Sequence, residues 1–258
     1  MLIGDGIGAT VISGSRNGAD GIQTYSTASF AVDAIGFIAC NISFRNTAGP
    51  MKKQAVALRS SSDLSICYRC EISGYQDSLY PHTHRQFYRE CVIAGSVDFI
   101  FGDAQAVFQK CEIIVKQGTP EQNTNTITAQ SRKSMNEPTG FSFQFCNISA
   151  DTDLKPTTQT YLGRPWDAYS RTIFMQSYMS NTISPKGWIH WNASDFYLDT
   201  LTFGEYKNLG PGAELGSRVK WPGFHVLNES EAKNFTVAAF IDGDLWLPPS
   251  GIPYTSGL

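Results

Sequence analysis

An all-β solenoid of stacked coils, a parallel β-helix, is the fold class that the sequence predicts, and three observations predict it. A short pattern, Cys-x-Ile preceded by an aromatic or apolar residue, recurs along the first half of the chain. Each copy alternates inward and outward residues with period two, as a half-buried strand does. Between copies lie clusters of Gly, Asn, Ser and Asp with little 3.6-residue patterning, so turns rather than long helices join the strands.

The copies are Phe37-Ile-Ala-Cys40-Asn-Ile42, Tyr68-Arg-Cys70-Glu-Ile72, Tyr88-Arg-Glu-Cys91-Val-Ile93, Phe108-Gln-Lys-Cys111-Glu-Ile113 and Phe143-Gln-Phe-Cys146-Asn-Ile148. Successive cysteines stand 30, 21, 20 and 35 residues apart, and a sixth copy, Phe174-Met-Gln-Ser177-Tyr-Met179, puts Ser in place of Cys. Recurrence at this period is the mark of stacked repeats, each coil setting its Cys and Ile over those of the coil before. The longer intervals are then loops that leave one face and wall a cleft. A β-sandwich whose strands share a small apolar residue is the competing architecture. Cysteines stacked this way are more often buried small hydrophobes than bridges; Cys111 and Cys146 stay open as a pair, because spacing does not fix connectivity.

With 258 residues, the chain has room for one large all-β domain or two small ones. Charged residues make up 17%, below the roughly 25% of an average domain, and 20 basic against 23 acidic residues give a net charge of −3. That balance offers no footprint for nucleic acid. No apolar run approaches the roughly 18 residues of a membrane span, and Met1-Leu2-Ile3-Gly4-Asp5-Gly6 lacks the basic start and apolar stretch of a secretory signal. Asn-x-Ser/Thr triplets begin at Asn41, Asn147, Asn192, Asn228 and Asn234, which with six cysteines leans toward an oxidising, secretory route. The histidines at 82, 84, 190 and 225 match no zinc-hydrolase spacing, no Gly-x-Ser-x-Gly elbow occurs, and Gly4-Asp-Gly-Ile-Gly8 does not fit a dinucleotide loop.

Three segments place carboxylates, amides and aromatics inside apolar β-like runs: Gly74-Tyr-Gln-Asp-Ser-Leu-Tyr80, Gly95-Ser-Val-Asp-Phe-Ile-Phe-Gly102 and Tyr161-Leu-Gly-Arg-Pro-Trp166. Asp77 and Asp98 are 21 residues apart, the same interval as Cys70 to Cys91, so a solenoid sets them at equivalent points of adjacent coils, about 4.8 Å apart. Two carboxylates that close, beside Tyr80, Phe99 and Phe101, cannot both ionise cheaply, and one is expected to hold its proton. Such an arrangement separates a nucleophile or base from a protonated acid at one pH; taken singly, either Asp also reads as a turn residue capping its own backbone. Arg164, between Gly163 and Pro165-Trp166, is directed by a stiff turn and expected to fork onto a carboxylate. Trp166 and Trp188 read either as aromatic surface for a sugar face or as ordinary core.

These segments, with Gln54-Ala-Val-Ala-Leu-Arg59 and Val219-Lys-Trp-Pro-Gly223, strongly resemble the catalytic domain of plant pectin methylesterases, essentially end to end. The resemblance implies a right-handed parallel β-helix with long loops forming the substrate cleft, secretion to the cell wall, no metal or organic cofactor, and hydrolysis of the C6 methyl esters of pectin, with methanol released. By the same resemblance Asp98 is the nucleophile and Asp77 the general acid and then base. Gln54 and Gln76 donate to the oxyanion, and Arg164 holds Asp98 ionised and oriented. Tyr80, Phe101, Trp166 and Trp188 line the substrate cleft. Pectin is then the partner, with a proteinaceous pectinesterase inhibitor left open as a second, and neither nucleic acid nor membrane.

The chain departs from the family pattern in four places. The family usually has Thr at Ser78 and Asn at Asp103; the second matters more, because a third carboxylate five residues after Asp98 is expected to raise the nucleophile's pKa or move the pH optimum. Some relatives carry Cys at Ser43, paired with the equivalent of Cys70. Family catalytic domains also carry several tens of residues before the stretch resembling Met1 to Gly14. Residues 1–258 are therefore expected to form one β-helix domain without its first coils, with an apolar end and an unpaired edge. Two further functions compete: a glycoside hydrolase or lyase on the same solenoid, although a lyase wants a calcium-binding acidic cluster, and a truncated relative that binds pectin without turnover.

Overall fold

The computed structural model describes residues 1–193 and 195–258. It is a parallel β-helix: three parallel sheets of nine, seven and six strands, in each of which neighbouring strands follow one another along the chain. Each full coil contributes one short strand to each sheet. In-register pairing turns the sequence repeat into columns, and one column of the nine-stranded sheet reads Ala39, Cys67, Tyr88, Phe108, Phe143, Phe174, Glu205. Its aromatic members form a continuous stack, with ring centroids 4.8, 4.4 and 4.4 Å apart from Tyr88 to Phe174. A second column, Phe44, Ile72, Ile93, Ile113, Ile148, Met179, fills the other side of the core from the seven-stranded sheet.

The cysteines sit at the corner between these two sheets. The residue before each turns the corner in the left-handed region: Arg69, Glu90, Lys110 and Phe145 all have φ between 51° and 56°. Such a corner frees a carbonyl of the coil below, and the next coil's thiol donates to it: Cys70 to Ala39 O, Cys91 to Cys67 O, Cys111 to Tyr88 O and Cys146 to Phe108 O. The slot therefore wants a small buried side chain with a donor, which cysteine supplies. On the last coil, Asn208 fills it and donates to Phe174 O at 3.0 Å. All six cysteines are free thiols, Cys111 and Cys146 included.

The first copy of the repeat is out of register. Cys40 pairs with Tyr68 rather than Cys70, because the left-handed corner residue of that coil is Asn41 (φ 57°), which puts Ile42 in the cysteine slot. Ser43, where some relatives carry a bridging Cys, donates to Glu71 at 2.7 Å and accepts from Gly8 N.

The repeat does not announce the C-terminal segment, where three short helices, Glu229–Lys233, Val237–Ile241 and Gly243–Trp246, pack on the outer face of the nine-stranded sheet. Val237, Phe240, Ile241 and Leu247 cover Ile66, Phe87 and Val107 there. At the start of the stack, Leu2–Ile3 and Val11–Gly14 each pair on one edge only, and Ile3, Ile7 and Val11 are exposed. Among the described residues no helix is long and apolar enough to cross a membrane. The serine of the triplet at Asn192 lies outside the described residues.

Candidate active site

The outer face of the six-stranded sheet carries a cleft of about 310 Å³ lined by Gln54, Gln76, Asp77, Tyr80, Asp98, Phe101, Arg164 and Trp166, together with Thr24, Tyr25, Ala129 and Trp191. The sheet stacks Phe30–Val32, Leu58–Ser60, Leu79–Pro81, Val97–Gly102, Thr124–Gln130 and Gln159–Gly163 in chain order. Because Leu79 pairs with Ile100, the residues two before each, Asp77 and Asp98, fall at equivalent points of adjacent coils. Both adopt left-handed backbone, φ 63° and 48°, and Asp98 lies where the register of Val97–Gly102 against Thr124–Gln130 shifts. Aspartate tolerates that region better than most residues, and a bulge there re-aims side chains out of the ladder. Here it turns two carboxylates toward one cleft although they are only 7% and 5% exposed.

Their surroundings differ sharply. Asp98 is forked by Arg164, with Nε 2.9 Å from Oδ1 and Nη2 2.5 Å from Oδ2. Thr126 completes its shell: Oγ1 accepts from Asp98 N at 3.0 Å, so its own proton is free to go to Asp98 Oδ1 at 2.6 Å. Asp77 has no hydrogen-bond partner for its carboxyl among the described residues. Burial and then the Asp98 charge push its pKa well above the ordinary carboxylate range, against a smaller opposing pull from Arg164. One carboxylate is thus clamped by a cation and its neighbour is left to hold a proton.

Gln54 comes from the coil before Asp77, and Gln76 directly precedes Asp77 on its own coil. Ala55 N donates to Gln76 O at 3.1 Å and Gly18 N to Gln54 O at 2.8 Å. Neither side-chain amide bonds another protein group among the described residues, and both face the cleft. Gly18 allows this placement, since a Cβ there would lie 2.7 Å from Gln54 Oε1.

An aromatic run forms the rest of the wall. Phe101 stacks on Tyr80 at 4.2 Å and lies 5.9 Å from Trp166, which in turn lies 6.4 Å from Trp191. The Arg164 guanidinium rests on the Trp191 ring, 4.3 Å from its centroid. Burial pushes the Tyr80 phenol up to about 12, so it stays protonated.

Trp188 is not part of this wall, which corrects the sequence expectation. It is 1% exposed, its ring stacks on Phe203 at 4.2 Å and its Nε1 donates to Glu205. Trp191 holds the cleft position instead. Two tryptophans three residues apart leave opposite faces of an extended segment, and the pairing of Trp188 with Gly163 decides which one turns inward. Sequence reasoning also missed Thr126 and Tyr25. Thr126 lies in register with Val97, the residue before Asp98, a signal that the repeat offers once coils are aligned. Tyr25 belongs to a stretch without the repeat and is held by Arg59, whose guanidinium lies 3.8 Å from the centre of its ring.

Asp103 stands apart from the pair. Its carboxyl accepts from Thr139 Oγ1 at 2.6 Å and Gln130 Nε2 at 3.3 Å and does not line the cleft. Ser78 keeps its hydroxyl on Tyr75 O, away from substrate space. Among the described residues no group of three or more His, Cys, Asp or Glu is arranged to hold a metal ion.

A pectinesterase family model matches residues 1–244. A pectinesterase/pectinesterase inhibitor of Prunus persica is 63% identical over 99% of the chain and 50% of its own length, and a probable pectinesterase/pectinesterase inhibitor of Arabidopsis thaliana 62% over 100% and 49%. The chain spans about half the length of these curated relatives. Among solved structures, the pectin methylesterase from carrot superposes with a TM-score of 0.94 at 48% identity, covering 98% of this chain and 80% of its own. That from Aspergillus niger gives 0.81 at 31%, covering 93% and 74%. The fold shared with these is the right-handed parallel β-helix.

Proposed function

The chain belongs to the pectinesterase family, and from that membership we propose that it hydrolyses the C6 methyl esters of homogalacturonan pectin, releasing methanol and leaving acidic pectin. The observation that carries the reading is the asymmetry of the two carboxylates: Asp98 forked by Arg164, and Asp77 beside it buried, without a partner among the described residues and raised in pKa. Ester hydrolysis through a covalent intermediate needs that division.

In this mechanism a carboxylate oxygen of Asp98 attacks the ester carbonyl carbon. Gln54 and Gln76 donate to the oxygen that becomes negative, where one such donor is worth about 2.7–4 kcal/mol. The bond between the carbonyl carbon and the methoxy oxygen breaks as Asp77 gives its proton to the departing methoxide, leaving an anhydride between Asp98 and the galacturonate. Asp77, now ionised, takes a proton from water as the water oxygen attacks the same carbon. The bond to Asp98 breaks, the galacturonate acid leaves and Asp77 is protonated again. Arg164 and Thr126 hold Asp98 aimed throughout, while Tyr80, Phe101, Trp166 and Trp191 offer apolar surface to sugar rings.

The same reading places the protein in the cell wall as a secreted enzyme. A proteinaceous pectinesterase inhibitor is the proposed protein partner, supported by the composite names of the Prunus and Arabidopsis relatives. The test is methanol release from highly methylated pectin with polymer length followed in parallel. Release without chain shortening, lost in Asp98→Asn, is the expected result; chain cleavage, or release that survives Asp98→Asn, overturns the proposal.

A further inference from the structure

We propose that a second groove, flanked by Lys186 and Lys220 and backed by Tyr161 and Trp221, binds the free carboxylates of galacturonate residues on a polymer already partly de-esterified. It rests on the pectin reading above for the identity of the polymer. The groove has a volume of about 350 Å³, and its residues come from segments later in the stack than the two aspartates. Tyr161 lies on the six-stranded sheet one coil beyond Thr126, the residue that holds Asp98, and His190 in the groove directly precedes Trp191 in the cleft. One step between coils is about 4.8 Å, so the groove stands within a few such steps of the cleft.

Its chemistry differs from that of the cleft. Arg164, the one cation in the cleft's lining among the described residues, is already committed to Asp98. In the groove, Lys186 and Lys220 are exposed, make no ion pair among the described residues, and share the lining with no carboxylate. Arg218 beneath them adds no free charge, because it is forked onto Glu205. The two lysines come from segments 34 residues apart that are tied together by Val219 N donating to Lys186 O at 3.1 Å. Trp221 is half-buried and meets the His190 ring edge-on at 4.9 Å, with His190 itself paired to Asp195 at 3.1 Å. Trp221 and Tyr161 thus give a sugar ring aromatic surface between two cations. The cleft's chemistry has no use for Val219-Lys-Trp-Pro-Gly223, and this groove accounts for its lysine and tryptophan.

The proposed reaction turns a neutral ester into an anion on the polymer. A site with two lysines and, among the described residues, no carboxylate in its lining, the nearby Asp195 being already paired to His190, therefore favours product stretches over fully esterified ones. One exposed lysine contributes little. Two spaced along one polymer act together and add to whatever the cleft holds.

The experiment measures affinity for a short, fully de-esterified oligogalacturonate by calorimetry, with the unaltered chain, with Lys186→Gln/Lys220→Gln, and with Lys186→Arg/Lys220→Arg. Methanol release from a short, fully esterified oligomer is followed beside it. The Gln pair is expected to lose about tenfold in affinity, the Arg pair to retain it, and the unaltered chain's affinity to fall with salt, while methanol release stays unchanged. Equal affinity of the Gln pair and the unaltered chain overturns the proposal, as does an equal loss for both pairs. A chain that releases no methanol yet shows the lysine-dependent binding leaves the groove standing and removes the esterase reading. Methanol release without lysine-dependent binding does the reverse.

Discussion

Two of the carboxylate–guanidinium forks among the described residues, Glu205–Arg218 and Asp98–Arg164, differ in what surrounds them. Glu205 and Arg218 are both 1% exposed; Arg218 Nε lies 2.7 Å from Oε1 and Nη2 3.1 Å from Oε2. The remaining guanidinium donors go to the carbonyls of Ser184, Pro185 and Gly212, and Glu205 also accepts from Trp188. Every polar atom of that pair is bonded within the protein, although Arg218 also lies against the second groove. Asp98 and Arg164 form the same fork, but it opens onto a cleft, and a second carboxyl beside it has no partner among the described residues. A saturated fork ties a loop to the last coils. An open fork next to an unpaired acid is a site where charge can move.

The sharpest way to break this comparison is to neutralise each carboxylate in turn. Asp98→Asn is expected to reduce methanol release by at least about 10⁴-fold, with far-ultraviolet circular dichroism unchanged. An Asn variant that keeps substantial activity removes the distinction between the two forks. Glu205→Gln is expected to act on stability alone. Removing one partner leaves Arg218 charged and buried, a loss of about 3–5 kcal/mol, read from urea unfolding, while the fraction that remains folded turns over normally. A Glu205 variant that unfolds no more easily contradicts the structural role given to the saturated pair.

A finer distinction concerns the amides. Gln76→Ala removes a donor that faces the cleft and has no protein partner among the described residues, and about 10²–10³-fold is expected to go from kcat with KM little changed. Gln109→Ala is the matched control: its amide lies buried between Gln144 and Thr255 O, outside the cleft. Its effect is expected in thermal unfolding and not in kcat.

Much of this contrast was readable before the fold was known. Equal spacing of Asp77–Asp98 and Cys70–Cys91 places the two carboxylates on adjacent coils, because in-register stacking carries an interval from one column of the solenoid to another. The Gly-Arg-Pro turn likewise points Arg164 at a carboxylate. Where the reading failed, register was the cause. Cys40 matches the repeat by pattern, yet the left-handed corner falls on Asn41, and a shift of two residues preserves alternation and so leaves no trace in the sequence. Trp188 and Trp191 are equivalent by type, and only the bridge from Trp188 to Gly163 separates core from cleft. The C-terminal helices were invisible because they contribute no coil; the outward apolar residues Ile66, Phe87 and Val107 hint that something covers that face.

The smallest effect is expected at Asp103, and it tests whether the open fork is insulated from nearby charge. Burial, opposed by the Thr139 hydrogen bond, raises this carboxyl to about 6. A folded-state pKa above the unfolded value of about 3.9 means that the favourable contribution is fully present below about pH 4 and is lost as pH rises through about 6. Asp103→Asn keeps an oxygen to accept from Thr139 and Gln130 and has no charge to bury. Its stability is therefore expected to match that of the unaltered chain near pH 4 and to exceed it by about 1 kcal/mol near pH 8, after discounting for partial exposure. Because the Asp103 side chain is held by Thr139 and Gln130 outside the cleft, the pH profile of kcat/KM is expected to stay in place while the unfolding profile moves. A shifted kcat/KM profile shows instead that the field of Asp103 reaches Asp98 or Asp77, and that the clamp of Arg164 and Thr126 does not isolate the pair from a carboxylate five residues along the chain.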